Sequence, residues 1–264
     1  MIDFLESDII TTDGYLEIAR ENNEKICYIK TDYFKNGKVP FIWRGKNHPT
    51  DFKRNVIIGH SDHSVDDLDL NGFDLVFCVN KNTLDPRVHS MPLGLPNSCD
   101  DLPILEILGD KKMVLSAAKE SKDKINLAYI NFSSETFPAE RGDIIERFSE
   151  FHWTKKGEIN SSRSGREKYL LDLKESKFCF CPRGNGIDTH RMWEALYMGC
   201  IPIVKKYHTH DFCEDLPILF IDEWSQIDES YLRSKWIEYS NREWNYEKLK
   251  LPYWKKFIEN KITK

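Results

Sequence analysis

Short apolar runs separated by helical stretches constrain the fold of this chain more than any other feature of its sequence. Lys25–Lys30, Asn55–Gly59 and Asp74–Val79 predict short buried strands, and residues 13–22 and 102–108 predict helices around them. Strands that are apolar on both faces and joined by helices belong to parallel sheets with helices on both sides. The first part of the chain therefore predicts one parallel α/β lobe.

A second set of the same kind follows a hydrophilic linker near residues 100–124. Its predicted strands are Ile125–Phe132, Lys177–Cys181, Ile201–Val204 and Ile218–Ile221, and its predicted helices begin at Pro138, cover 165–175 and Thr189–Met198, and fill the tail from Ser225. The sequence thus predicts an α/β chain with two Rossmann-like doubly wound lobes and a ligand cleft between them. We expect a first lobe over residues 1–110, a second over 111–245 and a helical tail over 246–264.

The charge balance limits the partners of the chain. Its 264 residues include 38 Lys and Arg against 43 Asp and Glu, a formal net charge of -5. Nucleic acids select basic surfaces, so nucleic acid is not an expected partner. No apolar run approaches the roughly 20 residues that span a bilayer, and the N-terminus lacks the basic and long apolar regions of a secretory signal. We therefore expect a cytoplasmic protein without a membrane span.

Seven cysteines fall mostly inside apolar runs, and their number is odd. Buried, reduced thiols are the expected state of such residues in a chain without a signal peptide. Cys179 and Cys181 flank Phe180 in a predicted strand, so alternation sends both thiols to one face and the ring to the other. No further Cys or His follows at the spacing of a zinc site, and no metal is expected there.

The segment Ser176–Val204 (SKFCFCPRGNGIDTHRMWEALYMGCIPIV) carries the strongest chemical signal. A buried strand leads through the glycine-rich loop Pro182–Ile187 into a helix, and this geometry presents backbone N–H groups and the positive end of a helix dipole to a phosphate. Arg183 and Arg191 flank the loop and are suited to hold a diphosphate. Glu194 is suited to accept both hydroxyls of a ribose.

A purely structural interpretation of the same residues stays open. Gly184 and Gly186 then serve a tight turn, while Arg191 and Glu194 form an ordinary pair on a helix surface. The loop is neither a Walker A sequence nor a dinucleotide fingerprint, because GxxxxGK[ST] is missing and no third glycine follows in register.

The same segment resembles the signature of the exostosin-like glycosyltransferases, which runs Ser-x-Phe-Cys-Leu-x-Pro-x-Gly, then Arg, then Glu or Asp-Ala-Leu/Ile, then Gly-Cys-Ile-Pro-Val. The matching residues are Ser176, Phe178, Cys179, Pro182, Gly184, Arg191, Glu194, Ala195, Leu196, Gly199, Cys200, Ile201 and Pro202. A weaker match extends back to Asn131–Arg141. Small members of the family, including ones carried by large DNA viruses, have similar short segments.

This resemblance implies a GT-B fold and the transfer of a sugar from a nucleotide diphosphate sugar to a carbohydrate hydroxyl, with inversion of the anomeric centre. A UDP-sugar is the expected donor, a pentose donor such as UDP-xylose included, with GDP as the alternative nucleotide. A glycan or glycoprotein is the expected acceptor. The residues expected to bind the donor are Asn131, Arg141, Arg183, Gly184, Asn185, Gly186, Asp188, Thr189, Arg191 and Glu194. No obligatory metal or other cofactor is expected, because a helix terminus and cationic side chains neutralise the leaving diphosphate in GT-B enzymes.

The catalytic base is expected in the first lobe, just after the strand that ends at Gly59. His60, Asp62 and His63 follow that strand, and side chains at the carboxyl end of a parallel strand face the cleft. We expect Asp62 to be the base, with His60 or His63 as the alternative base and Asp62 then orienting it. A polar loop that caps a helix is the structural alternative.

Two other possibilities are weaker. Asp67–Asp69 (DLD) has the spelling of a metal motif, but it lies in the polar approach to a strand, and we expect no metal there. A non-catalytic module that binds a nucleotide sugar or a glycan is the alternative function. A phosphatase or kinase is disfavoured because the Cys-x5-Arg and Walker A patterns are missing.

Overall fold

The first lobe is built on a sheet of four parallel strands. The computed structural model describes residues 3–29, 54–59, 62, 70, 72–99 and 102–263 of the chain. Within these residues, α1 (Thr12–Glu21) precedes β1 (Ile26–Ile29), β2 (Asn55–Ile58), β3 (Leu75–Cys78) and β4 (Val88–Ser90). The strands lie in the order β1-β2-β3-β4. Helix α1 begins where the side chain of Thr11 accepts a hydrogen bond from the Gly14 N–H.

The second lobe is built on a sheet of five parallel strands in the order β6-β5-β7-β8-β9. These strands are β5 (Asn126–Ile130), β6 (Thr154–Lys156), β7 (Ser176–Phe180), β8 (Ile201–Lys205) and β9 (Leu219–Ile221). The remaining α-helices in the described part of the chain are α2 (Pro103–Leu108), α3 (Lys111–Lys119), α4 (Pro138–Phe148), α5 (Arg163–Lys174), α6 (His190–Tyr197), α7 (Glu229–Ser240) and α8 (Leu251–Ile262).

Strand β7 shows how the sequence alternation divides the core. Cys179 and Cys181 pack into one hydrophobic cluster, and Phe178 and Phe180 pack into another. The prediction that both thiols share one face is therefore confirmed. The second sheet is covered by apolar side chains on both faces, as expected of a doubly wound lobe.

The hydrophilic stretch near residues 100–124 carries the helix expected over 102–108 and a second helix that was not expected. Helices α2 and α3 lie in it. Helix α3 begins at Asp110, whose Oδ1 accepts a hydrogen bond of 3.0 Å from the Met113 N–H. Met113, Val114 and Ala117 are buried on its inner face, and the helix packs against α5. The lysines on the outer face make the segment polar overall, so the helical spacing of its apolar residues was not recognised in the sequence.

The tail joins the two lobes, because α8 returns to the first one. Ile9 and Lys250 form an antiparallel bridge just before this helix. Farther along it, the ring centroid of Phe257 lies 6.1 Å from that of Phe77 in β3 and 5.8 Å from that of His89 in β4. These ring contacts bury the end of the tail against the first sheet.

The α/β prediction with two parallel sheets is confirmed, and the arrangement is GT-B-like. The short strands β4 and β6 were missed. Each covers three residues at a sheet edge, where a strand needs no continuous apolar run. In the part of the chain that the structure describes, no helix is long and apolar enough to cross a membrane.

Candidate functional site

A cavity of about 410 Å³ opens at the carboxyl edge of the second sheet. The strand order of this sheet reverses between β5 and β7, and parallel α/β sheets bind ligands at such a reversal. The loops after β5, β6 and β7 and the start of α6 form most of the wall. Leu93 and Pro96 of the first lobe close the opposite side, so the cavity lies between the lobes.

Most residues that the sequence predicted for the donor site line this one cavity. They are Asn131, Arg141, Gly184, Asn185, Gly186, Asp188, Thr189, Arg191 and Glu194, together with the expected base Asp62. His60 and His63 lie outside the described residues, as does Asp67–Asp69.

Three arginines line the cavity, and two of them, Arg141 and Arg191, lie over the same aromatic ring. Arg191 Nε donates to the Asn131 carbonyl at 3.0 Å, and Arg141 Nε donates to the Arg183 carbonyl at 2.9 Å. Both guanidiniums lie over the ring of Phe132, with their carbons 5.2 and 5.6 Å from its centroid. The backbone and this ring therefore fix the direction in which each arginine points.

Neither arginine forms a salt bridge with a carboxylate among the described residues, and their side-chain hydrogen bonds go to backbone carbonyls. Arg141 is only 7% exposed. Burial, and then the charge of Arg191, lower the pKa of Arg141 to about 10. It remains protonated at neutral pH, so two neighbouring cations that form no salt bridge among the described residues line the cavity. Such a site favours a polyanion such as a diphosphate.

Two glycines of the glycine-rich loop lie where side chains from elsewhere in the protein come close to the backbone. A Cβ on Gly186 would lie 2.6 Å from Nδ2 of Asn80, which belongs to the first lobe, and a Cβ on Gly184 would lie 3.0 Å from an Nη atom of Arg141. Gly186 thus lets the two lobes meet, and Gly184 leaves room for a guanidinium. The loop leads into α6 at Thr189, whose side chain makes no capping hydrogen bond to the helix.

Asp188 connects the lobes, which changes the role expected for it. Its Oδ2 accepts a hydrogen bond of 2.9 Å from the Leu93 N–H, and both carboxylate oxygens accept from Trp193 Nε1 at 2.9 Å. Its own N–H donates to Asn80 Oδ1 at 2.7 Å. Burial raises the pKa of Asp188 to about 7, against the opposing effect of these donors. The carboxylate is occupied within the protein, so Asp188 positions the loop.

Arg183 does not line the cavity, and the expectation that it clamps the diphosphate is not supported by its position. Its guanidinium carbon lies 4.4 Å from the ring centroid of Phe137, and its Nη2 donates to the Asn185 carbonyl at 3.0 Å. The ring of Phe137 and the backbone of the loop hold this guanidinium. Arg141, from the weaker part of the motif, stands beside Arg191 instead.

Glu194 lies at the back of the cavity with two partners that the sequence analysis missed. Arg166 Nη2 lies 2.7 Å from its Oε1, and the Tyr169 hydroxyl donates to its Oε2 at 2.7 Å. Burial alone would raise the pKa of Glu194, but the charge of Arg166 and the hydrogen bonds from both partners outweigh it and lower the pKa. Glu194 is therefore an ionised acceptor and not part of a surface pair with Arg191.

Arg166 and Tyr169 carried a weak sequence signal. They lie three residues apart on α5, so a helix places them on one side. Nothing local indicated that this side meets Glu194 of α6, because the contact is tertiary. The loop after β6, residues 158–161, completes the wall in the same way.

Asp62 of the first lobe lines the cavity. Asn185 Nδ2 donates to its Oδ2 at 3.5 Å, a contact between the glycine-rich loop and the first lobe. The expected base and the expected donor loop are thus neighbours. Among the described residues, no group of three or more His, Cys, Asp or Glu side chains is arranged to hold a metal ion.

Comparison with known families agrees with this geometry. A family model described as the Exostosin GT47 domain matches residues 77–215, more than half of the chain. The chain belongs to the exostosin GT47 family. The match begins within β3 and ends in the loop after β8, and so includes the glycine-rich loop, Arg141, Arg191 and Glu194. A search of curated proteins found no matching relative.

Membership of the exostosin GT47 family makes the chain a glycosyltransferase in general terms, with a nucleotide-sugar donor and an acceptor. The cavity between the lobes joins cationic side chains to an ionised carboxylate.

Proposed function

We propose that this chain transfers a sugar from a UDP-sugar to a hydroxyl group of a glycan or glycoprotein. The observation that carries the proposal is the pair Arg141 and Arg191, two guanidiniums held by backbone carbonyls at a cavity between the lobes. Family membership supplies the reaction class, and this pair supplies a binding site for the diphosphate of the donor.

The charges of the cavity support the following position for the donor. Its diphosphate lies against Arg141, Arg191 and the loop from Gly184 to Gly186. Its ribose lies on Glu194, because a carboxylate has about four lone-pair sites and only two are used by Arg166 and Tyr169. GDP is the alternative nucleotide, since these contacts involve no base.

The reaction proposed is a single displacement with inversion. The acceptor oxygen forms a bond to the anomeric carbon while the bond from that carbon to the phosphate oxygen breaks. The proton of the acceptor hydroxyl passes to the Asp62 carboxylate, and the nucleotide diphosphate leaves with the electron pair. Arg141 and Arg191 stabilise the charge that develops on the leaving group, so we propose no obligatory metal.

We place this activity in the cytoplasm. Five of the seven cysteines are buried thiols, and free thiols of this kind support a reducing compartment.

The test is a panel of nucleotide sugars that includes UDP-hexoses, UDP-xylose and GDP-sugars, with release of the nucleotide diphosphate as the readout. We expect release from a UDP-sugar, and release that persists in EDTA. A protein that binds UDP but releases none from any donor, with or without oligosaccharide acceptors, would be a non-catalytic binding module. Loss of activity in EDTA that Mn²⁺ restores would contradict the metal-free mechanism.

A further inference from the structure

A second pocket, of about 360 Å³, lies beside the donor cavity at the same edge of the second sheet. Phe137, Glu140, Lys205, Glu223 and Trp224 form most of its wall, from the start of α4 and the ends of β8 and β9. We refer to it as the α4 pocket. None of these residues is used in the donor site described above.

The charges of the α4 pocket are already paired. Lys205 Nζ lies 2.9 Å from Glu223 Oε2, and Arg147 Nε lies 2.6 Å from Asp143 Oδ1. Among the described residues that line it, the pocket therefore offers no unpaired cation to a phosphate or carboxylate. What it does offer is carboxylate oxygens with spare lone pairs, beside apolar surface.

The apolar surface is mainly an aromatic ring held in an unusual backbone conformation. Phe137 has φ 53°, in the left-handed region that few residues other than glycine adopt, and it precedes the first turn of α4. One side of its ring carries the Arg183 guanidinium, yet the residue is still 37% exposed. Trp224 lies buried at the base of the pocket. A ring kept partly open beside hydrogen-bond acceptors suits a ligand with both C–H faces and hydroxyl groups.

We propose that the α4 pocket binds a neutral sugar ring of the acceptor glycan. This inference rests on the proposed function. We assign the bound sugar ring to the acceptor because the two spaces are lined by neighbouring residues. Thr136 lines the donor cavity, and Phe137 lines the α4 pocket. The chain at these two residues, with Arg183 stacked on Phe137, separates the two spaces. A sugar bonded directly to the diphosphate stays on the Thr136 side, so a ring on the Phe137 side belongs to another part of a saccharide chain.

Glu140 is the acceptor group closest to the start of α4. Burial raises its pKa, and the charge of Lys205 partly offsets this. Its carboxyl group is held at the wall by the helix, so it can bind a sugar hydroxyl without a large movement of the backbone.

The direct test is binding of neutral xylo-, cello- and chito-oligosaccharides to the whole protein, measured by calorimetry without donor. Phe137→Gly removes the ring, and glycine adopts the same backbone angle without cost. We expect this variant to bind the preferred oligosaccharide at least about fivefold more weakly, as for the loss of one aromatic contact. Glu140→Gln should weaken binding in the same direction. Phe151→Ala, which changes an aromatic residue 47% exposed outside the pocket, is the matched control and should bind normally.

Donor reactions separate this proposal from the proposed function. We expect Glu140→Gln, which keeps the ring of Phe137 under the Arg183 guanidinium, to bind UDP and hydrolyse the UDP-sugar in water as the unaltered protein does. If hydrolysis falls while oligosaccharide binding is unchanged, the pocket holds the donor sugar and the acceptor assignment is wrong. Oligosaccharide affinity that is the same in Phe137→Gly, or no binding of any oligosaccharide in the panel, would also overturn the assignment. Absence of nucleotide release from every donor would count against the proposed function only.

Discussion

Arg166 and Glu194 form an ion pair with a distance of 2.7 Å between Nη2 and Oε1, and their side chains are only 4% and 6% exposed. Removal of one partner from such a pair leaves a buried charge without compensation, which costs about 3–5 kcal/mol. We therefore expect Glu194→Gln to lower the free energy of unfolding by an amount in this range. Urea denaturation followed by circular dichroism measures it.

The double variant Arg166→Met with Glu194→Leu provides the control for this prediction. It removes both charges and keeps apolar volume, and replacement of a whole buried pair is often neutral in stability. We expect it to recover most of the loss in Glu194→Gln while it binds no UDP. Equal stability of Glu194→Gln and the unaltered protein would show that the pair is not buried in solution.

Arg191 should matter more for UDP affinity than Arg183 does. Arg191→Met removes a cation that faces the cavity, so we expect UDP binding to weaken by about 1.5–3 kcal/mol, the range for a hydrogen bond to a charged group. Arg183→Ala removes a side chain that stacks on Phe137 outside the cavity lining, and its effect should be smaller. Isothermal calorimetry measures both affinities.

Arg163→Met is the matched control for the arginine variants. Arg163 also stands on the second lobe, where it pairs with Asp110 at 2.8 Å outside the cavity. We expect its UDP affinity to be unchanged at moderate salt. A loss in Arg163→Met as large as that in Arg191→Met would mean that general charge, and not the cavity, attracts the nucleotide.

The local parts of the site were predictable from sequence, and the tertiary parts were not. The strand, glycine-rich loop and helix of residues 176–198 follow from a continuous pattern of apolar residues, glycines and a helix start. Arg183 shows what the sequence motif could not predict. The motif places it in the glycine-rich loop, but its guanidinium stacks on the ring of Phe137, a tertiary contact. Arg166 and Tyr169 reach Glu194 only through the packing of α5 against α6.

The fold shows the same division. The central strands β2, β3, β5, β7 and β8 were predicted because burial on both faces demands apolar residues. Helix α3 was missed because its buried side chains stand among lysines, and the net polarity of the segment resembled that of a linker. The return of α8 to the first lobe depends on contacts of Phe257 with residues far away in sequence.

Asp62→Asn tests the proposed base. The substitution removes the proton acceptor and keeps the shape of the side chain, so we expect kcat to fall by at least about 10²-fold, the lower end for general base catalysis. UDP affinity should barely change, because the proposed diphosphate site is formed by Arg141 and Arg191 and does not include Asp62. Steady-state kinetics with a fixed acceptor measures kcat.

Asp211→Asn is a suitable comparison for Asp62→Asn. Asp211 is a carboxylate that also faces the other lobe, with its Oδ2 3.7 Å from Lys81 Nζ, but it does not line the donor cavity. We expect near-normal turnover from it. Near-normal turnover from Asp62→Asn as well would place the base elsewhere.

His210 should make the fold sensitive to acid. It is 2% exposed, and neither ring nitrogen has a hydrogen-bond partner among the described residues. Burial lowers its pKa from 6.5 to about 3. The unfolded chain therefore takes up a proton at His210 more readily than the folded chain does. The contribution to stability is complete above pH 6.5 and is lost as the pH falls from 6.5 toward 3.

At pH 5 this single group is expected to lower the free energy of unfolding by about 2 kcal/mol relative to pH 7.5. His210→Phe keeps a ring in the same space beside Phe220 and cannot be protonated. Between pH 7.5 and pH 5, the free energy of unfolding of His210→Phe should therefore fall by about 2 kcal/mol less than that of the unaltered protein. Parallel acid dependence of the two proteins in urea denaturation would mean that His210 is accessible to a proton in the folded state.

The position of a bound nucleotide tests the central claim most directly. We expect a crystal structure of the complex with UDP to place the diphosphate between Arg141 and Arg191, with phosphate oxygens about 3 Å from both guanidiniums, and the ribose hydroxyls on Glu194. A diphosphate bound away from both arginines, or no UDP at saturating concentration in protein that is folded, would contradict the account.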